Sequence, residues 1–162
     1  MPSIERAVLI RASCQKVFGF ISDFRNDGQW RRFVQNVEHD PPGLAWLGTR
    51  IRETILIFGI RLKSEGELIE YEQDRWVATR AVSGALGISM RREVDRHGEQ
   101  CRCTVRLEIR PGGLARIPGH LFEVILRRRL GMELPRLREI LEQPGAARGR
   151  ESPVAIPPKH VP

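Results

Sequence analysis

Between Cys101 and Ile109, apolar and polar side chains alternate without a break. Cys101, Cys103, Val105, Leu107 and Ile109 fall on one side, and Arg102, Thr104, Arg106 and Glu108 on the other. A period of two sends successive side chains to opposite faces of a strand, so this stretch predicts a strand with one apolar and one charged face. Similar patterns predict strands over residues 4–12, 49–58, 60–71, 75–82 and 88–95, with strand character beginning at Val37. A bulge is expected near Gly66, and His97 with Gly98 predicts a tight turn.

The period changes to that of a helix in three places. After the first strand, Ser13 is a capping residue, and Val17, Phe18, Ile21 and Phe24 follow at helical spacing until Asn26, Asp27 and Gly28 break it. A second short helix is expected to carry Trp30, Phe33 and Val34. The longest helical pattern runs over residues 117–142. There Ile117, Leu121, Val124, Ile125 and Met132 share one side, while Leu126, Leu130, Leu134, Leu137, Ile140 and Leu141 lie nearly opposite. The stripe is therefore expected to change face near Gly131, where Pro135 removes a backbone donor and a bend is expected. On that reading the second half packs on the core and the first half faces a hollow; the alternative is a wholly packed helix that tolerates its proline.

A sheet with one apolar face needs a cover. Six or seven antiparallel strands are wider than one helix, so the sheet should curl and leave an apolar hollow against it, which is where a ligand binds by default. Residues 1–143 read as one domain. The remainder, 144–162, has five prolines, two glycines and no clear period, and reads as a disordered tail.

Composition narrows the class. The chain has 162 residues, of which 41% are hydrophobic and 29% charged, as in ordinary globular proteins. Nothing approaches a membrane span, and Glu5 and Arg6 before a short apolar run argue against a secretory signal. Three cysteines, an odd number without a framework, suit a reducing cytoplasm. The net charge of +7 raises nucleic acid or an anionic membrane as partners. However, the basic residues are scattered and aromatics for stacking are few, so no nucleic acid is expected and membrane contact would be transient.

The order of one strand, two short helices, a run of antiparallel strands and a closing long helix resembles the helix-grip fold of START-like (SRPBCC) proteins. Residues IRASCQKVFGFISDFRNDGQW resemble that superfamily's opening, LGTRIRETILIFGIRL its Gly-Thr-Arg strand pair, and RWVATRAVSG its central strand. RRRLGMELPRLREILE is similar to the closing helix of the polyketide cyclase/dehydrase branch. The resemblance implies an α+β domain over residues 4–142. It implies a lipid, isoprenoid quinone or polyketide-like molecule in its cavity, or an aromatase/cyclase in which Arg92, Glu53 and Tyr71 steer an aldol condensation. Aromatase/cyclase members place several tyrosines and tryptophans in the cavity, whereas this chain has a single tyrosine.

Among residues able to carry chemistry, Glu53 shares a strand face with Ile51, Ile55 and Ile57. It would be a general acid or base if that face is concave, or an ion-pair partner of an arginine otherwise. Arg92 alternates with Ile88, Met90 and Val94, and if it points inward it needs an anion, either Glu53 or a ligand. His120 opens the long helix, either near a cavity mouth or idle at the surface. Met90, Val105, Leu107, Leu121 and Ile125 are expected to line one apolar cavity. Of the Arg127, Arg128 and Arg129 cluster, Arg128 falls on the helix face expected to meet the hollow, or snorkels out. Trp46, between Leu44 and Leu47 after a Pro-Pro-Gly turn, is a gate or a cap on the sheet edge, and residues 83–87 offer a second way in. Cys101 and Cys103 read as packing thiols, no metal constellation forms, and no cofactor is implied. Three functions follow: a hydrophobic-ligand carrier, a polyketide aromatase/cyclase, and a basic surface module for RNA, membrane or protein.

Overall fold

The computed structural model describes residues 3–57, 59–83, 86–111 and 119–144. Strand β1 (Ser3–Ile10) is followed by helix α1 (Cys14–Ser22), a 3-10 turn (Phe24–Asn26) and helix α2 (Asp27–Trp30). Six strands follow: β2 (Val34–Asp40), β3 (Arg50–Ile57), β4 (Ile60–Glu72), β5 (Trp76–Ser83), β6 (Leu86–His97) and β7 (Gln100–Pro111). Helix α3 (Gly119–Glu142) closes the described chain. The strands form one curved antiparallel sheet in the order β1-β7-β6-β5-β4-β3-β2. From β2 onward, neighbours in the chain are neighbours in the sheet, and β1 returns to pair with β7.

Strand β7 shows why the alternation is so clean. It is paired on both sides, with β1 through Ile4↔Leu107 and Ile10↔Cys101, and with β6 through Met90↔Leu107 and Val94↔Cys103. All five of its apolar side chains are buried. The opposite face is charged, and partners across the strands match: Glu5 sits opposite Arg106 and Asp95 opposite Arg102, each pair forming a salt bridge. Such exposed pairs contribute about 0–1 kcal/mol each. They define the outer face more than they stabilise it. At the β6–β7 hairpin Gly98 adopts φ 64°, the left-handed conformation a two-residue turn demands and glycine takes at little cost.

The helices cover the apolar face. Ser13 accepts a hydrogen bond from the Lys16 N–H at 3.2 Å, and α1 buries Val17, Phe18 and Ile21 against β6 and β7. Helix α3 packs on β1 and buries Leu126, Leu130, Leu134, Leu137 and Leu141, each fully buried leucine side chain contributing about 1.5–3 kcal/mol. Its last turn is tied down: Lys16 Nζ donates to the Leu141 carbonyl at 2.9 Å, and the Arg11 N–H donates to Glu142 Oε1 at 2.9 Å. Pro135 lies within α3 on its exposed side without ending the helix.

Three local expectations are corrected. Asn26, Asp27 and Gly28 do not simply break the chain, because α2 begins at Asp27, and it ends at Trp30, so Val34 opens β2 instead of sitting on a helix. The register shift in β4 lies between Leu68 and Glu70. Gly66 instead takes ordinary pairing opposite Ile51 and Ala81. Finally, the buried stripe of α3 does not change face. It runs as one line from Leu126 to Leu141, leaving Leu121, Val124, Ile125 and Met132 exposed. Among the described residues no helix is long and apolar enough to cross a membrane. The expected tail lies outside the described residues from residue 145 onward.

Candidate functional site

The site is built outward from Asp27. Ahead of it, Asp23 accepts from the Arg25 N–H at 3.2 Å and starts the 3-10 turn, and buried Phe24 anchors that turn in the core. Asp27 then falls in the first turn of α2, where the free N–H groups favour a carboxylate. Its side chain is fully buried. Arg92, from the middle of β6, donates to it through Nη1 at 2.8 Å and through Nη2, and also donates from Nη1 to the Ile21 carbonyl at 2.8 Å. The Arg92 guanidinium lies over the rings of Phe24 at 4.5 Å and Trp30 at 5.2 Å.

Arg31, one helical turn after Asp27, extends the network. Its Nη1 donates to Asp27 Oδ2 at 2.8 Å and to Glu53 Oε1 at 2.7 Å. Burial opposes the charge on Arg31, but Glu53, Asp27 and Glu133 outweigh it and hold the guanidinium pKa above its ordinary value. At Asp27 the balance also favours charge. Desolvation would raise its pKa, and the fields and hydrogen bonds of Arg92 and Arg31 overcome that to hold it below the usual carboxylate range. A second pair stands on α3, where Arg129 Nε donates to Glu133 Oε1 at 2.7 Å and the guanidinium stacks on Phe33 at 5.1 Å.

Apart from Asp27, the charged groups of this network line a cavity of about 80 Å³ between the sheet and α3. Arg31, Glu53, Arg92, Arg129 and Glu133 contribute polar surface, and most of the remainder is apolar, from Ile51, Ile55, Met90, Val105, Leu107 and Leu126 among others. Room for it comes from small residues facing inward. Gly66 and Ala81 are opposite each other, and a Cβ on Gly66 would come within 3.0 Å of the Ala81 Cβ.

Glu53, Met90, Arg92, Val105 and Leu107 all lie on the cavity wall. The expected Glu53–Arg92 pair does not form directly: Arg92 is matched by Asp27, and Arg31 carries the chain of contacts to Glu53. Three placements are corrected. His120 is exposed, and Leu121 and Ile125 are 48% and 44% exposed, so none lines the cavity. The physical reason is that α3 has two apolar stripes and presents the one carrying Leu126 and Leu130 to the sheet. The same rotation points Arg129 inward and leaves Arg128 exposed. Trp46 is half-buried in the turn before β3, where its backbone N–H donates to Thr49 Oγ1 at 3.1 Å, away from the cavity wall. Tyr71 also lies off that wall, its hydroxyl donating to Gln73 at 2.7 Å and its ring edge-on to Phe18. The middle of the second expected way in, residues 84 and 85, lies outside the described residues. Cys101 and Cys103 are buried, and the described residues contain no cluster of metal-ligating side chains.

The sequence assigns no site role to Asp27, Trp30, Arg31, Arg129 and Glu133. Two signals for them were available: Asp27–Arg31 and Arg129–Glu133 are both opposite charges four apart, the spacing that pairs on a helix.

A long closing helix held by a seven-stranded antiparallel sheet, with two short helices after the first strand, is the helix-grip architecture of START-like proteins. The chain belongs to the family described as polyketide cyclase / dehydrase and lipid transport, whose profile matches residues 1–142. Among solved structures it is similar to a START superfamily protein from Mycobacterium smegmatis, at 15% identity and a TM-score of 0.72, over 87% of this chain and 97% of that one. Protein CV1439 from Chromobacterium violaceum matches at 13% identity and a TM-score of 0.70, over 89% and 100% of the two chains. DynU16, from the dynemicin biosynthetic locus, matches at 17% identity and a TM-score of 0.61, over 87% of this chain and 47% of that one. These likenesses concern the fold. No curated protein matches the sequence.

Proposed function

We propose that this protein binds a hydrophobic small molecule in the cavity between its sheet and α3. The observation that carries the reading is the cavity itself, walled by Ile51, Ile55, Met90, Val105, Leu107 and Leu126. Burial of apolar ligand surface there contributes about 25 cal/mol per Å². The small volume favours a compact molecule, or one end of a longer one, over a fully enclosed lipid.

A second reading, an aromatase/cyclase, draws on the family description and needs a carboxylate free to take a proton. All three carboxylates at the site are engaged by arginines, and Tyr71 is off the wall. That supports binding over catalysis. A basic surface module is disfavoured because outer-face arginines such as Arg91, Arg102 and Arg106 are matched by Glu70, Asp95 and Glu5. Free thiols at Cys14, Cys101 and Cys103 support a reducing, cytoplasmic location.

The test has two parts. Mass spectrometry of small molecules carried through native purification should find an apolar compound. Filling the cavity with Ile88→Trp should weaken binding of an apolar fluorophore about tenfold or more, while Ile60→Trp on the exposed β3–β4 hairpin should not. Equal affinity in both variants would place binding elsewhere and remove the reading.

A further inference from the structure

Two residues that line the cavity each carry a buried hydrogen-bond donor that is left over. Trp30 is 1% exposed and its Nε1–H has no partner among the described residues. Arg129 spends its Nε on Glu133, and its Nη2, also buried, has none. Both residues line the same cavity. Buried donors are rarely left unpaired, because an N–H stripped of water and given nothing in return costs free energy. Both orphans are donors, so what is missing is an acceptor.

The charges say which kind. Asp27, Glu53 and Glu133 are set against Arg31, Arg92 and Arg129, three acids to three bases, so the cluster is already neutral. An anionic ligand would add an uncompensated charge in a largely apolar space, which is expensive. A neutral oxygen supplies the same lone pairs without that cost. Resting on the proposal that the cavity binds an apolar molecule, we infer that its occupant carries a neutral carbonyl, as in a ketone, quinone or ester, and presents that oxygen to Trp30 Nε1–H and Arg129 Nη2–H. The rest of the molecule lies against Ile51, Met90, Val105 and Leu107.

The experiment uses the full chain, labelled with ¹⁵N, and three compounds of one shape: 1-tetralone, tetralin, and 1,2,3,4-tetrahydro-1-naphthoate. Indole N–H signals are assigned by elimination with Trp46→Phe and Trp76→Phe. We expect 1-tetralone to bind about five- to tenfold more tightly than tetralin, the size of one or two net hydrogen bonds, and to move the Trp30 indole proton downfield. Trp30→Phe, which keeps an aromatic side chain and removes the donor, should cut that preference about threefold. Arg129→Met should act in the same direction. If either variant fails to fold, the indole shift in the unaltered protein still decides. Equal binding of tetralone and tetralin with a still Trp30 signal would overturn the inference while leaving the apolar cavity reading intact. Tightest binding by the tetrahydronaphthoate would overturn it in favour of an anion site. No binding by any of the three would overturn both.

Discussion

Arg92 and Asp27, 65 residues apart in the chain and each at most 1% exposed, meet through a two-pronged pair in which Nη1 and Nη2 each donate to a carboxylate oxygen. This contact joins β6 to the short α2 and so fixes the polar wall of the cavity. Two further contacts support it: the Arg92 guanidinium lies over the ring of Trp30 in α2 at 5.2 Å, and Arg31, the residue after α2, donates to Glu53 on β3 at 2.7 Å.

Removing one partner should therefore be costly. Asp27→Asn leaves two buried guanidinium groups facing a neutral amide, and a loss of about 3–5 kcal/mol is expected in urea unfolding. The pH dependence has a definite sign. Asp27 titrates lower when folded than when unfolded, so its contribution is complete above the unfolded value near 3.8 and is lost as pH falls through the folded one. Thermal melts taken from about pH 6 down to about pH 2 should show a steep loss of stability that Asp27→Asn flattens. An unchanged slope in that variant would mean other carboxylates govern acid unfolding.

The two apolar faces of α3 should respond differently to truncation. Leu137 is fully buried, and Leu137→Ala should cost about 2–5 kcal/mol. Ile125, 44% exposed, should change stability by less than about 0.5 kcal/mol as Ile125→Ala. Denaturant melts of the two variants compare them directly, and a reversed ranking would mean α3 presents its other face to the sheet.

The thiols should separate by reactivity. Burial pushes the Cys103 pKa up to about 12 and raises that of Cys101 as well. Near pH 8 a disulfide reagent should modify half-buried Cys14 in the folded protein and reach the other two only on unfolding. Three equivalents reacting at one fast rate would show that β7 opens readily to solvent.

Much of this was legible from the chain alone. The period of two in residues 101–109, the Ser13 cap, the glycine turn after His97 and the apolar spacing of residues 117–142 are local signals, because the geometry of one element imposes them on its own residues. They suffice for an antiparallel sheet covered by a long helix, and they group Arg92 with Met90 on one face of β6 without deciding whether that face turns inward. What they do not contain is the rotation of an element about its own axis when two solutions are open. Helix α3 carries two apolar stripes, and only packing on β1 decides that Leu126 and Leu130 turn inward with Arg129 and Glu133, while Leu121 and Ile125 turn out. Asp27 is the other case. In sequence it belongs to an Asn-Asp-Gly turn; its role comes from a partner 65 residues away, and a buried charge is tolerated only where that partner arrives.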